Sequence, residues 1–468
     1  MTKLAIALAA LILIIFSSCS KQQITTDKTA ELAFSTDSIK FDTVFTSVGS
    51  ATMNFLVKNP NKKAVSISNI RLGGGTASYF KINVNGHPGT QFTNTVLAGG
   101  DSMFVFVQVT INPTLTSTPF IVTDSILFQT NGNLQMVKLV AFGQNAHFFA
   151  SQEICNMIWS DTLKPYVIYN SILVGPGCTL TIEPSVKVYS HKGSAIIVQG
   201  TLNVIGQPNH PVTFTSDRLE QFYATAPGQW YGIWFATYNT ANNGNGTGRG
   251  SFTNAVIKNA VIGVESDSMV NKVDSVYIYQ TKIQNMATAG IYGKSANITG
   301  KDLLVNNCGQ FLFIGQYGGT YNFAYCTFDN SDAAITSSSA GITLANNSYV
   351  NSHMQTVQFP LTANFTDCII WGTTADEVEL DSFKGTTFSS DFKYNIIRAS
   401  LVPFNSTNKI NTDPLFKDPY DGIYHFLSTS SPAINFNSHT IGDSLGVSYD
   451  INNISRQRNI DVVGCYVN

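Results

Sequence analysis

Between residues 178 and 235 the apolar side chains come in short runs: Leu180-Thr181-Ile182, Val186-Lys187-Val188-Tyr189, Ala195-Ile196-Ile197-Val198, Thr201-Leu202-Asn203-Val204 and Val212-Thr213-Phe214. They alternate at period two, show no helical spacing, and are cut by Pro184, Gly193, Gly200, Gly206 and Pro208. No run is long enough to bury a face by itself. Such strands are stable only when stacked on others of their kind, coil upon coil, as a parallel β-solenoid. A chain of 468 residues is long enough for one such rod with an appended module.

The repeat becomes measurable after residue 250. Asn259, Asn285, Asn307, Asn330, Asn351 and then Gly372 recur every 21 to 26 residues, read from those positions. Two residues before them stand Ile257, Ile283, Val305, Phe328, Tyr349 and Ile370. Four before stand Ala255, Thr281, Leu303, Cys326, Asn347 and Cys368. The even offset places both sets on one face, the inside. Asn tolerates the left-handed backbone of a sharp corner, and stacked amides bond from coil to coil; Gly meets the same steric demand. Between residues 239 and 250 the Gly/Asn sequence reads as a loop too polar for a strand.

The segment Leu180 to Val188, Gly200-Thr201-Leu202, Pro211 to Ser216 and Gly228 to Phe235 resembles the right-handed parallel β-helix proteins of pectate-lyase-like fold, with Ser185 where Gly is usual. The resemblance implies the fold and no single function, because this scaffold hosts lyases, hydrolases, esterases, adhesins and spacers alike. Residues 413–468 are similar to the C-terminal end of secreted β-helix proteins. They carry Asp413-Pro414-Leu415-Phe416, Ser431-Pro432-Ala433, Asp450 with Arg456, and Asp461 to Tyr466. The similarity implies a cap over the last coil, with an Asp450 to Arg456 ion pair.

Residues 31–146 alternate differently, with seven short strands expected near 41–45, 52–58, 65–70, 81–84, 103–110, 125–129 and 136–142. They are broken by Asn59-Pro60, Gly73-Gly74-Gly75, Gly99-Gly100 and Asn131-Gly132, which argues an immunoglobulin-like β-sandwich. Phe55 to Asn59, Tyr79 to Ile82, Leu97 to Ser102, Ile111-Asn112-Pro113 and Leu139 to Gly143 resemble modules of the abnormal-spindle and Hydin type. The chain is therefore expected to be all-β: leader 1–19, tether 20–30, sandwich 31–146, right-handed parallel β-helix 147–412, cap 413–468.

Only 12% of residues are charged and the net charge is −2. No dense Lys/Arg run exists, which argues against nucleic acid. Lys3, the apolar residues 4–16 and Ser17-Ser18-Cys19 read as a bacterial lipoprotein signal, with Cys19 the lipidated residue and Phe16 where Leu is usual. Ser20 after it resembles lipoproteins sent to the outer membrane. The expected address is thus the outer membrane, by a lipid anchor, facing the periplasm or the outside. Cys155, Cys178, Cys308, Cys326, Cys368 and Cys465 show no CxxC spacing; they are read as small buried side chains, with disulfides the alternative.

Carbohydrate-cleaving β-helices need Ca²⁺-holding carboxylates with a basic residue, or carboxylates close enough for acid/base work. Outward positions beside the Asn column offer Asp302, Asp329 and Asp367 as catalytic candidates, with Tyr325 and Trp371 as sugar-stacking platforms. The alternative is a solvated polar face. Only Lys258 and Lys282 supply base there, which weakens a lyase. Asp376, Glu377, Glu379 and Asp381 form a possible cation patch or a plain acidic loop, and Asp217-Arg218-Leu219-Glu220 a third candidate. No zinc spacing and no Ser-His-Asp arrangement is visible. No cofactor is expected, with Ca²⁺ reserved for the lyase alternative.

Asp, then Ser or Thr, then an aliphatic residue or Met occurs eight times, against an expectation on the order of one or two from composition. The pattern is similar to the O-glycosylation acceptor motif of some gut-type bacteria. That likeness implies Ser38, Thr43, Ser102, Ser125, Thr162, Ser268, Ser275 and Ser444 as acceptors; the alternative is a turn that ends where a strand begins. Taken together, the sequence points to a lipid-anchored envelope protein whose rod binds a polysaccharide or an envelope protein without cleaving it. A lyase or hydrolase with a flank groove, or a structural spacer, are the alternatives.

Overall fold

The computed structural model describes residues 23–467 apart from 241–243, 269–274, 332–336, 351–353, 355, 401–403, 421, 428, 437–446 and 457–461. Cys19, Ser444, Asn351 and Asp461 lie outside the described residues. The chain divides into two compact units, Met1–Asn145 and Ala146–Asn468. No helix among the described residues is long and apolar enough to cross a membrane.

The first unit is a β-sandwich of two five-stranded sheets. Alternate residues of both sheets meet in one core, Val57, Val105, Val107 and Ile82 from one and Ile67, Ile70, Phe128 and Leu139 from the other. Phe55 meets Phe128 edge-on with ring centroids 6.3 Å apart. All seven expected strands are present, and Ala33–Phe34, His87–Gly89 and Gln91–Leu97 add to them. Gln91–Leu97 escapes a sequence reading because its Thr and Asn side chains are mostly exposed, leaving no apolar stripe. Asn131 and Gly132 both hold positive φ, the twist-matched hairpin turn that Asn-Gly favours.

The second unit is a parallel β-helix built on one continuous 25-stranded network. Each coil lays down strands on three faces. Thr179–Ile182, Thr201–Ile205, Arg249–Thr253 and Ser275–Tyr279 stack on face A. Lys187–Ser190, Val212–Ser216, Ala255–Lys258, Lys282–Met286, Leu304–Cys308, Thr327–Asn330, Ile369–Gly372 and Ile396–Ile397 stack on face B. Ala195–Val198, Gly232–Phe235, Ile262–Asp267, the first halves of Ala289–Lys301 and Phe311–Ala324, Ile342–Ala345 and Val378–Asp381 stack on face C. Inward residues from all three faces fill one core, in which Phe313, Phe323, Phe328, Phe365 and Phe392 pack ring against ring.

The Asn column turns the corner from face B to face C. Asn259, Asn285 and Asn307 are left-handed, and the Asn285 and Asn307 amides donate to the preceding Asn at 3.3 and 2.8 Å. The column departs from its sequence reading in two places. Thr327–Asn330 pairs directly with Ile369–Gly372, so Asn330 faces Gly372 with no coil between them. Tyr349–Val350 instead forms a small antiparallel ribbon with Thr356–Val357. Gly372 does not hold a positive φ; a Cβ there would meet the Glu377 carboxylate at 2.2 Å, so close packing, not backbone hand, requires glycine. The Gly/Asn stretch also pairs where a loop was expected, Thr237–Thr240 with Gly244–Thr247.

Cys155 and Cys178 are bridged, their Cα atoms 4.6 Å apart, whereas Cys308, Cys326, Cys368 and Cys465 are buried free thiols. The bridge joins the first two coils across 23 residues, a loop whose closure stabilises by about 3 kcal/mol on the chain-entropy account. Replacing both cysteines by alanine is expected to lower the unfolding free energy by that amount, seen as a lower denaturant midpoint at unchanged slope, and an unchanged midpoint would contradict the staple.

Candidate functional site

The C-terminal segment decides which surfaces are open. Its described part lies along face B and the corner between faces A and B, and reaches the last coil, where Lys409 donates to the Pro432 carbonyl at 2.8 Å. The outward row Leu304, Thr327, Ile369, Ile396, paired coil to coil, is apolar and buried beneath Tyr424, Phe426, Ile451, Val462, Val463 and Tyr466. The Cys465 amide donates to Thr327 Oγ1 at 3.1 Å and the Gly464 amide to the Asp367 carbonyl at 2.8 Å.

The carboxylates expected in a groove are under this strap. Asp302, Asp329 and Asp367 are each 0% exposed and Tyr325 is buried. Asn254, Gln280, Asp302, Tyr325, Asp367 and Tyr394 form the second left-handed corner column, so short polar residues stand there for backbone reasons. Asp302 receives the Arg456 guanidinium at 2.5 Å. Burial pushes its carboxyl up to about 7 against the pull of that cation. Arg456 also donates to the carbonyls of Val462 and Gly464 at 3.0 and 2.8 Å and stacks over Tyr325 at 4.2 Å. The expected Asp450 to Arg456 pair is replaced by this one. Asp450 instead accepts the amides of Asn452, Ile454 and Val467. Asp329 accepts the Tyr424 hydroxyl at 3.2 Å and the Ser331 hydroxyl at 2.7 Å, and burial pushes it up to about 7. Trp371 packs against the strap, with Arg398 over its ring at 5.6 Å.

Face C, which the strap does not cover, carries an outward row of mixed exposure, with Glu379 exposed, Trp234 and Tyr292 half-buried, and Glu265, Ile314 and Thr343 buried. With Val264, Ile291, Phe313 and Ile342 directed into the core, period two sends the intervening residues outward. Ile197, Trp234, Glu265, Tyr292, Ile314, Thr343 and Glu379 are register partners across successive coils. A second row carries Asp267, Lys294 and Gln316. From Trp234 to Glu379 the row spans about 24 Å at the spacing of stacked strands. Its middle has an apolar floor of Ile262, Ala289 and Ile314 with Phe311 and Tyr292 against it. Tyr231 donates to Glu265 Oε2 at 2.8 Å, Lys294 Nζ meets Glu265 Oε1 at 2.6 Å, and Tyr292 donates to Gln316 at 2.6 Å. Glu265 is only 2% exposed, yet both its oxygens are engaged. Burial and the Glu265 carboxylate push the Tyr231 phenol upward; burial and the Tyr317 phenol do the same for Tyr292, so both remain hydroxyl donors.

Toward the later coils the face opens into a pocket of about 650 Å³ lined by Phe311, Ile314, Gln316, Thr343, Asp376, Glu379 and Asp381 among others. Three of the four residues of the expected cation patch therefore share one pocket. Glu377 does not join them: it is buried and accepts the Gly341 and Thr374 amides, each at 3.0 Å. Among the described residues no group of three His, Cys, Asp or Glu side chains is arranged to hold a metal ion. At the earlier coils Asp217 is bonded by His191 at 2.7 Å and Tyr169 at 3.1 Å, and Arg218 pairs with Glu220 at 3.0 Å.

The eight Asp-Ser/Thr sites divide. Ser38, Ser102 and Ser275 are first residues of strands, and the Asp before Thr43, Ser102 and Ser125 accepts that residue's own amide. Ser102 and Thr162 are exposed, and Ser38, Thr43, Ser125 and Ser275 half-buried. Ser268 is 0% exposed, so it does not fit a surface acceptor.

No family model and no curated protein matches the chain. Among solved structures it is similar to the Agl-KA catalytic domain, at 13% identity and TM-score 0.29 over 76% of this chain and 78% of that one. It is also similar to the catalytic domain of a GH87 α-1,3-glucanase in complex with nigerose, at 11% identity and TM-score 0.16 over 82% and 92%. A third match, the Vibrio cholerae VesB protease, has 14% identity and TM-score 0.19 over 25% of this chain, which spans 33% of that protease. Likenesses this partial say nothing of substrate or reaction. The molecule is defined by its own geometry as a parallel β-helix preceded by a β-sandwich.

Proposed function

We propose that this chain is a lipid-anchored protein of the bacterial outer membrane that holds a glycan along face C without cleaving it, its immunoglobulin-like module following the anchor and preceding the rod in the chain. One observation carries the reading. A register-matched row sets Trp234 and Tyr292 beside Glu265, Lys294 and Gln316, over an apolar floor and into an open pocket. Aromatic faces take the C–H face of a sugar, and flanking carboxylate, amide and phenol groups take its hydroxyls. The Cys155–Cys178 bridge suits an oxidising compartment and so supports export.

An enzyme reading draws on the same place, because Glu265 sits between a phenol and an ammonium. Product release decides between them. The binding reading expects retention of polysaccharide on affinity gels with no new reducing or unsaturated ends, with or without Ca²⁺. Trp234→Ala with Tyr292→Ala is expected to weaken retention about thirtyfold, aromatic platforms contributing roughly 1 kcal/mol each. Ends that appear with the native chain and vanish in Glu265→Gln would make it a hydrolase or lyase.

A further inference from the structure

We infer that the glycan taken by face C is not acidic: the groove excludes polyuronates and sulfated glycans. This deepens the reading of face C as a glycan site and rests on it. Among the described residues, the outward rows of the strands from Ile262–Asp267 to Val378–Asp381, with the pocket beside them, carry Glu265, Asp267, Asp376, Glu379 and Asp381, and the cation in those rows is Lys294. That ammonium is already committed, 2.6 Å from Glu265 Oε1 and 4.8 Å from the Tyr292 ring centroid.

Among the described residues, the lining of the pocket that the row runs into holds no basic side chain. A uronate or sulfate laid on Trp234 and Tyr292 would bring its charges toward Glu379 and Asp381 with no free cation in that lining to meet them, and like-charge juxtaposition works against binding. Neutral sugars meet no such opposition. Their hydroxyls donate to these carboxylates and accept from the Tyr231 and Tyr292 phenols.

The test uses the full chain on affinity gels containing a neutral β-glucan, a neutral mannan, polygalacturonate or a sulfated glycan, at about 0.01 M salt, where charge acts over about 30 Å. Retention by at least one neutral gel and none by either acidic gel is the expected result. The double variant Glu379→Gln with Asp381→Asn is expected to gain retention on polygalacturonate, about tenfold or more, and a variant that stays unretained there overturns the inference. Retention of the native chain by polygalacturonate or the sulfated glycan at low salt overturns the inference and leaves glycan binding standing. Absence of retention on every gel removes the glycan reading itself.

Discussion

Arg456→Ala is expected to release the C-terminal strap and destabilise the β-helix unit by about 3–5 kcal/mol, the cost of breaking a buried charge pair from one side. The guanidinium is 9% exposed, pairs with a carboxylate that is 0% exposed, and donates to two strap carbonyls. Its loss orphans all three acceptors and removes the cover from Tyr325. Because a solenoid unfolds by parts and not as one unit, the strap is expected to respond first. Limited proteolysis should clip the variant near residues 447–467 well before the rod melts, and hydrogen exchange should rise at Cys465 and Gly464. Arg456→Lys cannot restore the geometry, since one ammonium does not reach three acceptors in a plane. An unchanged cleavage pattern would show that the apolar contacts of Tyr424, Val463 and Tyr466 hold the strap unaided.

The second large effect is on pH. Burial lifts the Asp329 carboxyl from 3.8 to about 7, above its value in the unfolded chain. The folded state therefore binds this proton more tightly. The stabilisation is whole below about pH 4 and is lost as pH rises to about 7, up to about 4 kcal/mol across that window at 1.36 kcal/mol per unit. The β-helix unit is expected to be more stable at pH 5 than at pH 8, which is opposite to the trend of a protein held by exposed carboxylate ion pairs. Asp329→Asn, which imitates the protonated group toward Tyr424, should remove the Asp329 share of that dependence, leave the share of Asp302, and raise the melting temperature at pH 8. A steeper dependence in the variant would place the titration elsewhere.

Much of the fold is legible in the sequence because strand stacking forces it. The Asn column is periodic, since the corner from face B to face C is short and always needs the same backbone hand; Asn259, Asn285 and Asn307 could be aligned by eye. Face C is different. Trp234, Glu265, Tyr292, Ile314, Thr343 and Glu379 are register partners, yet they lie 31, 27, 22, 29 and 36 residues apart, the differences of their own numbers. The connections between faces vary in length, so the row has no period in the sequence and its aromatic and charged residues look scattered.

Asp302, Asp329 and Asp367 are buried for a physical reason. Asp302 and Asp367 occupy left-handed corners, where a short polar side chain serves the backbone. The signal that these positions were covered was present but needed the register. Leu304, Ile369 and Ile396 are outward and apolar in a row that carries Lys282 one coil earlier, and an outward apolar row requires a partner. That partner was the stretch with Arg456 and Gly464. Gly464, at φ +85° with Ile369 and Thr327 atoms 2.8 Å from any Cβ, is fitted to lie against face B.

The most direct test of the central claim is retention of the full chain and of the Trp234→Ala/Tyr292→Ala variant on gels of the neutral polysaccharides, with circular dichroism to show that both are folded. The account predicts that the native chain is retarded by at least one gel and that the folded variant runs as on a gel without polysaccharide. Equal retardation of the two would contradict it, placing any glycan site away from face C.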